Sequence, residues 1–382
     1  MFALLTTVAL AQDPGTYGAW DDLPAPGLTD EPEAPAPIIN GQLGNGRTLR
    51  EAGGLIIEAS LSLPGPYPPV RARLLWCSAT LIAPDVVMTA AHCVDVDGLL
   101  QEGADQGVEA LALEDLSFTF APAVDLTPHQ FEFDLFGGFT DLPASSMPGA
   151  AWVAHEGFDV SELELGLGEN ADIALVFLAE PTEREFALLP TPEEGEALAV
   201  DDDVVIVGWG QQSQDGIAGT KQVADSFISE LGPFELKVGE VATDGRKCHG
   251  DSGGPTFRDF GGPPSHPDRV IGVTSHAYDL TDCQFTGGVD TRVDAYLDWI
   301  DAQMRQACED GVRSWCLEEG IIAPPDEDGL FSWEQPIDDP DGPNDGEGCG
   351  CGTSPAPGLL GLLLVPWLFG RRSHRDRALA EA

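Results

Sequence analysis

The sequence contains few basic residues. Its 382 residues include 65 Asp and Glu but only 18 Lys and Arg, so its formal net charge is −47 at pH 7. Nucleic acids and anionic membranes attract proteins through clustered Lys and Arg, and a field of the opposite sign is repelled by both. We therefore expect no nucleic-acid partner, and we interpret the acidic residues as a solvated surface.

The sequence also lacks an apolar segment of the length that crosses a membrane. The apolar run at 358–370 is shorter than the ~20 residues that a spanning helix needs, although Arg371 and Arg372 follow it as a positive flank would. Residues 1–11 are apolar, contain no Lys or Arg, and end in Ala-Leu-Ala. They predict a signal peptide that is cleaved before Gln12, and hence export of the chain.

Metal-binding cysteine motifs are absent from the sequence, since no Cys-x-x-Cys pair occurs. Eight cysteines are an even number, which is typical of disulfide-forming chains in an oxidising compartment. Cys308 and Cys316 could close a small loop, whereas Cys349 and Cys351 lie in a separate Gly-Cys-Gly-Cys-Gly motif. Residues 95–98 are similar to part of a calcium loop but lack its bidentate Glu, so we expect no metal and no cofactor.

Composition divides the chain into segments. Residues 12–37 are rich in Pro and acidic residues and contain no basic residue, which predicts a disordered propeptide. Residues 307–320 form a cysteine-bearing extension, residues 321–357 have the Pro, Gly and acidic content of a linker, and residues 358–382 form an apolar tail with a basic end. The main domain is expected at residues 38–306.

Short apolar runs between Gly, Pro and Asp residues predict β-strands through most of this domain. Their number and length are typical of β-barrels, with acidic surface loops expected at 95–116 and 159–171. The strand candidates are 55–57, 79–82, 86–88, 173–178, 204–207 and 270–273. A helical period occurs near residue 291 and beyond, and it predicts one amphipathic helix. Its apolar positions are Val293, Leu297, Ile300 and Met304.

The stretch Cys-His-Gly-Asp-Ser-Gly-Gly-Pro at 248–255 has the composition of a nucleophile loop. Its glycines allow a tight turn around Ser252 and let backbone N–H groups approach a developing oxyanion. A serine hydroxyl needs a base and a group that orients the base. Upstream motifs supply His92 and Asp172, and the order His, Asp, Ser is one of the known orders of the catalytic triad.

Seven motifs together resemble the trypsin/chymotrypsin-like serine protease family of the S1 type. They occur in the family's order at 38–41, 77–82, 89–93, 172–175, 208–210, 248–255 and 288–293. The resemblance implies an all-β fold of two packed six-stranded antiparallel β-barrels with a C-terminal α-helix. It also implies a serine endopeptidase that hydrolyses protein or peptide substrates through an acyl-enzyme, and we expect a monomer.

The resemblance assigns roles to individual residues. Ser252 is the nucleophile, His92 the general base and Asp172 the residue that orients the imidazole, while the N–H groups of Gly250 and Ser252 form the oxyanion hole. The family's disulfides correspond to Cys77–Cys93 and to Cys248–Cys283.

Activation in this family begins with cleavage before an Ile such as Ile38. The new α-amino group then pairs with the aspartate before the nucleophile, here Asp251. Pro37 precedes Ile38 in this sequence, whereas the family usually has Arg or Lys there. A non-tryptic protease is therefore expected to activate the chain.

Arg246 stands six residues before Ser252, where the family has the base of its primary specificity pocket. A guanidinium there would favour an acidic P1 side chain. Two alternatives remain open: Asp290 neutralises Arg246 and leaves a polar, nearly neutral pocket, or Arg246 turns to solvent. The walls are expected from Thr274, Ser275 and His276 and from the glycines Gly287 and Gly288.

The C-terminal tail resembles the bacterial sorting signals called MYXO-CTERM, with a cysteine motif, a short apolar run and a basic end. The resemblance implies an exported protein tethered at the cell surface, with the sorting machinery or the membrane as partner. A plain membrane anchor and a buried core segment are the alternatives.

Two other functional classes fit part of the sequence. Residues 250–254 also satisfy Gly-x-Ser-x-Gly of the α/β-hydrolase esterases, but no helical pattern follows Ser252 and no supporting His motif lies downstream. A catalytically silent, protease-like binding module is the second alternative, and the occupied triad positions argue against it.

Overall fold

The protein is known from a computed structural model, which describes residues 38–45, 49–62, 69–95, 97–98, 100, 112–134, 138–163, 165–211, 218–261, 268–278 and 286–316. The expected signal peptide, propeptide, linker and tail, together with Cys283, Cys349 and Cys351, lie outside these residues. Within the described residues the strands are β1 Gln42–Leu43, β2 Ala52–Ser62, β3 Val70–Ala83, β4 Val86–Thr89, β5 Ala112–Ala121, β6 Glu132–Asp134, β7 Met147–Ala154, β8 Ala174–Leu178, β9 Asp203–Gly208, β10 Gln222–Leu231, β11 Glu235–Val238, β12 Pro255–Asp259, β13 Asp268–Ala277 and β14 Gly288–Arg292. The helices are α1 Pro192–Glu196 and α2 Leu297–Glu309.

The first barrel is a closed ring of antiparallel strands. Its order is β2-β5-β7-β8-β4-β3, and a β2–β3 pairing closes it, while the short β6 extends it at β3. Apolar side chains that the strands turn inward fill the interior, among them Leu55, Leu81, Val87 and Phe120, all with 0% exposure. Burial of this apolar area holds the ring together.

The second barrel is built in the same way. Its ring runs β10-β11-β14-β13-β12-β9 and closes through a β10–β9 pairing, with the short β1 added at β10. Within the described residues there are thus two closed six-stranded antiparallel barrels, each with one short additional strand. The prediction of a chymotrypsin-like fold is confirmed.

The predicted amphipathic helix is also present. A 3-10 turn at Asp294–Tyr296 leads into α2, whose buried face carries Ile300, Met304 and Ala307. Val293 is buried but precedes the helix. Beyond α2, Arg313 donates to Asp85 between β3 and β4, and neither side chain is exposed. This ion pair attaches the extension to the first barrel, and the Cys308–Cys316 disulfide ties it to the end of α2.

Two strand predictions need correction. The loop expected at 95–116 ends earlier, because β5 begins at Ala112 and pairs with β2. Strands β2 and β3 are much longer than the apolar runs that predicted them. Irregular pairing, for example at Leu55/Ile56, bends them so that one strand serves two sides of the barrel. The outward-facing residues of these strands are polar, so the apolar runs cover only part of each strand.

Candidate active site

The first barrel contributes the histidine of the site. His92 lies in a 3-10 turn, Ala91–Cys93, just after β4. The Cys77–Cys93 disulfide ties this turn to β3. His92 is therefore held on a short, buried segment at the rim of the barrel, which limits the motion of its ring.

Asp172 fixes the imidazole through two hydrogen bonds. The His92 backbone N–H donates to Oδ1 at 2.9 Å, and the ring Nδ1 lies 2.7 Å from Oδ2. Burial alone would lower the pKa of His92, but the charge of Asp172 and its hydrogen bond outweigh burial and raise it. Burial would raise the pKa of Asp172, and the contacts with His92 and Ser275 reverse that and lower it. The pair is thus an ionised carboxylate beside a strengthened base.

Ser275 is a further partner of the carboxylate. Its Oγ donates to Asp172 Oδ2 at 2.5 Å from the end of β13 in the second barrel. From the sequence, Ser275 was expected only in the pocket wall. Its link to Asp172 depends on the meeting of two barrels, so no local signal in the sequence indicates it.

The loop that carries Ser252 packs against the histidine segment. Gly253 has φ of +76°, and a Cβ there would collide with Thr89 Oγ1 and would lie 3.0 Å from Ala90 N. Its N–H donates to Thr274 O at 2.7 Å, and Ser252 O accepts from Ser78 N at 2.8 Å. Only a glycine permits this approach, which holds Ser252 beside the segment that leads to His92.

The expected oxyanion donors face no protein acceptor. In the part of the chain that the structure describes, neither the Gly250 N–H nor the Ser252 N–H donates a hydrogen bond to another group. Gly250 has φ of +93°, which turns this peptide away from an ordinary strand path. Two N–H groups of one loop that have no protein acceptor are available to an oxyanion.

Asp251 lies beneath this loop and is completely buried. Its carboxylate accepts from Gly210 N at 2.7 Å and from Cys248 N at 2.8 Å. Burial raises its pKa to about 6, and the two backbone bonds and Lys247 oppose burial only in part. Ile38 is also fully buried, and Ile39 pairs with Arg246 through two backbone bonds. The two residues that follow the expected cleavage site, Ile38 and Ile39, are therefore packed against the second barrel.

A cavity of about 100 Å³ opens beside Ser252. Its lining includes all five predicted wall residues, Thr274, Ser275, His276, Gly287 and Gly288. The remaining lining residues are Lys247, Cys248, His249, Ala277 and Thr286. These five residues were not expected in the pocket from the sequence.

Arg246 is not among the residues that line this cavity. Its side chain is 1% exposed, which rules out the alternative that it turns to solvent. The guanidinium donates to the carbonyls of Ala242 and Thr286 at 3.2 and 3.4 Å. The guanidinium is therefore bound behind the cavity wall and does not line the cavity.

Lys247 is the cation that lines the cavity, and Asp290 neutralises it. Its Nζ lies 2.7 Å from Asp290 Oδ2 and 2.7 Å from Thr256 Oγ1, with Gly254 O at 3.5 Å. Both charged side chains are at most 1% exposed. The alternative of a neutralising Asp290 is thus realised, but with Lys247 and not Arg246 as its partner. All three N–H bonds of the ammonium are used within the protein.

The cysteines of the site are oxidised. One ligand atom each from Cys77, His92 and Cys93 lie within 4.8 Å of one another. The two sulfurs form a disulfide, so they carry no thiolate that could bind a metal. Cys248 is disulfide-bonded as well, and its expected partner Cys283 lies outside the described residues.

Known proteins are similar to this chain in sequence. Residues 143–300 match the family model described as Trypsin. The CLIP domain-containing serine protease HP8 of Bombyx mori is 27% identical over 249 residues, which cover 60% of this chain and 62% of that protein. Serine protease 56 of Homo sapiens is 28% identical over 299 residues, covering 72% and 43%. Brachyurin of Leptuca pugilator is 24% identical over 258 residues, covering 65% and 98%.

The fold and the site thus combine a hydrogen-bonded histidine–aspartate pair with a serine on a glycine-rich loop. The family match and the relatives, among them chymotrypsin-C of Bos taurus, show that this chain is similar to trypsin-like serine proteases. The chain spans less than two thirds of the length of the silkworm and human relatives above.

Proposed function

We propose that the protein hydrolyses peptide bonds with Ser252 as nucleophile, His92 as general base and Asp172 as the group that orients His92. The observation that carries the proposal is the double hydrogen bond between His92 and the buried Asp172 carboxylate, which leaves the far ring nitrogen to act as the base. Ser252 attacks the carbonyl carbon, and its proton passes to His92. The acyl-enzyme forms when His92 returns that proton to the leaving amine, and water then releases the acid.

Replacement of the nucleophile tests this proposal. Ser252→Ala should keep the fold and lower kcat/KM on a peptide library by roughly 10⁴-fold or more. Ser161→Ala, which removes a surface hydroxyl, is the matched control and should keep full activity. A fluorophosphonate probe should label mature unmodified protein and the control but not Ser252→Ala. Labelling without peptidase turnover would favour the esterase alternative, and no labelling at all would favour a binding module.

We propose further that the primary pocket selects neutral side chains. Arg246 was expected to favour acidic P1 residues, but its guanidinium binds carbonyls behind the wall. The ammonium that does line the cavity is paired with Asp290, so it offers no free charge to a substrate carboxylate. A cavity of about 100 Å³ accommodates a small to medium polar or apolar side chain.

Cleavage-site profiling of a peptide library tests the neutral pocket. Unmodified enzyme should prefer neutral P1 residues of modest size. Asp290→Asn should release Lys247 and shift the preference toward Asp and Glu. A strong Asp or Glu preference in unmodified enzyme that is lost in Arg246→Ala would restore the first interpretation of Arg246.

Activation and location complete the proposal. We infer that cleavage at Pro37-Ile38 frees an amine that pairs with Asp251, since Ile38 is already buried in the same barrel. N-terminal sequencing of active enzyme should begin at Ile38.

No helix among the described residues is long and apolar enough to span a membrane. We propose that residues 1–11 direct export and that the tail tethers the protein at the cell surface, so removal of residues 358–382 should release it into the medium.

A further inference from the structure

The loop that leads to Asp172 is held by a carboxylate from the other barrel. Glu235 is the first residue of β11 in the second barrel and has 0% exposure. Its Oε2 accepts from Gly168 N at 2.6 Å, and its Oε1 accepts from Asn170 Nδ2 at 2.8 Å. Each oxygen of this carboxylate therefore binds one residue of the 166–170 loop, which ends two residues before Asp172.

The backbone between this contact and Asp172 is strained. Ala171 has φ of +52°, in the left-handed region that a residue with a Cβ rarely adopts. Ile173 N donates to Ala171 O at 2.9 Å, which closes a tight turn centred on Asp172. A strained backbone of this kind persists only where neighbouring contacts hold it. The two bonds of Glu235 lie directly before the strained residue, where they can hold it.

A second strand of the same barrel contacts the chain on the other side of Ala171. Glu235 pairs with Thr291 of β14, and the Thr291 hydroxyl donates to Asp172 O at 3.0 Å. Ser275 of β13 donates to the Asp172 side chain. Asp172 leads into β8 of the first barrel, but three strands of the second barrel therefore fix its position.

We propose that Glu235 is a positioning residue, which holds the 166–170 loop so that Asp172 keeps both hydrogen bonds to His92. Its effect on turnover rests on the proposed peptidase function. Glu235 is not among the residues that line the cavity beside Ser252, so it acts through the loop and Asp172 and not through contact with a substrate.

Loss of the Glu235 contact should weaken His92 as a base. The charge and the hydrogen bond of Asp172 raise the pKa of His92 against the effect of burial, so a displaced Asp172 lets that pKa fall. We expect kcat to decrease about ten-fold and KM to change by less than about two-fold, because a catalytic group is misplaced while the substrate contacts remain. The rising limb of kcat/KM should move to lower pH, since neutral His92 is the active form.

Two substitutions of Glu235 separate its position from its charge. Glu235→Gln keeps the length of the side chain but places an NH₂ donor against one of the two loop donors. Glu235→Asp keeps the charge but withdraws the carboxylate by one methylene group. Both should lower kcat about ten-fold and move the limb to lower pH. Glu58→Gln, which alters a carboxylate on β2 that is likewise bound by two residues, Arg71 and Arg73, is the matched control and should change neither kcat nor the limb.

NMR measures the same effect without turnover. In ¹⁵N-labelled full-length Ser252→Ala protein, adding Glu235→Gln or Glu235→Asp should lower the pKa of the His92 ring, whereas adding Glu58→Gln should not. Asn170→Ala removes one of the two loop donors and should lower the same pKa. It takes the place of the Glu235 variants if these do not fold.

Other results would overturn the proposal. An unchanged His92 pKa in the folded Glu235 variants, or in Asn170→Ala, would show that the loop contact does not position Asp172. A shift in Glu235→Gln that is absent in Glu235→Asp would show that Glu235 acts through its charge. Lower stability with unchanged kinetics per folded molecule would leave Glu235 a structural role only. Peptidase activity that survives Ser252→Ala would instead contradict the proposed function and leave the NMR result standing.

Discussion

Each barrel contains a buried carboxylate, and the pKa values of the two carboxylates are shifted in opposite directions. In the first barrel, Asp172 accepts from the backbone and ring of His92 and from Ser275, and its pKa is lowered. In the second barrel, Asp251 is equally buried but accepts only backbone N–H groups among the contacts described, and its pKa is raised to about 6. Asp172 is hydrogen-bonded to a side chain that can carry a positive charge, whereas the hydrogen bonds described for Asp251 come from neutral backbone groups.

In the proposed function, this difference would separate catalysis from activation. Asp172 would have its cationic partner in the intact chain, because His92 would become charged during the proposed reaction. Asp251 would gain an ammonium partner from the proposed cleavage before the buried Ile38. On that proposal, the first barrel needs no processing, and the second couples the loop of Ser252 to cleavage.

The largest expected effect comes from Asp172→Asn. Loss of the negative charge should lower kcat by roughly 10⁴-fold, since the imidazolium is no longer stabilised. It should also move the rising limb of kcat/KM to lower pH, because burial of His92 is no longer opposed and its pKa falls. Steady-state kinetics from pH 5 to 9 measures both, and an unmoved limb would show that Asp172 does not set the basicity of His92.

Asp251 should give a pH-dependent effect on stability in the uncleaved chain. Its folded pKa of about 6 lies above the usual value of 3.8. The folded state therefore binds more protons between these values, and its stability decreases as the pH rises through that range, by about 3 kcal/mol in total. Urea unfolding of the uncleaved chain from pH 4 to 8 should show this decrease, and Asp251→Asn should lack it.

Cleavage should remove that dependence. If the Ile38 amine pairs with Asp251, the cleaved form of the unmodified protein should lose the decrease, and cleaved Asp251→Asn should be poorly active. Equal pH dependence before and after cleavage would mean that the amine does not reach the carboxylate.

A smaller, purely structural effect is expected at the extension. Arg313 and Asp85 are both fully buried, so Arg313→Met should leave the Asp85 carboxylate buried without its ion-pair partner. We expect this to lower the free energy of unfolding by about 3–5 kcal/mol. The double variant Arg313→Met/Asp85→Leu should recover most of this loss. Chemical denaturation measures it, and activity per folded molecule should not change. A cost below about 1 kcal/mol for the single variant would show that the extension contributes little to the fold.

Local patterns were sufficient for much of the architecture. Apolar runs predicted β4, β8, β9 and β13, and the 3.6-residue period predicted α2. Long strands such as β3 were underestimated, because their outer residues are polar. The glycines around Ser252 indicated a tight loop, and Gly253 shows why, since any Cβ would collide with Thr89.

The sequence by itself indicated the candidate triad residues, the two disulfides described and the shortage of positive charge, because these depend on residue type and on order along the chain. Only the tertiary structure decided that Lys247 and not Arg246 lines the cavity, that Asp290 neutralises it, and that Ser275 and His276 reach Asp172 and the 166–170 loop. Adjacent residues such as Arg246 and Lys247 have the same charge and nearly the same place in the sequence. Which of them faces the cavity depends on the local backbone path and on buried partners from distant strands, and neither is encoded in a local pattern.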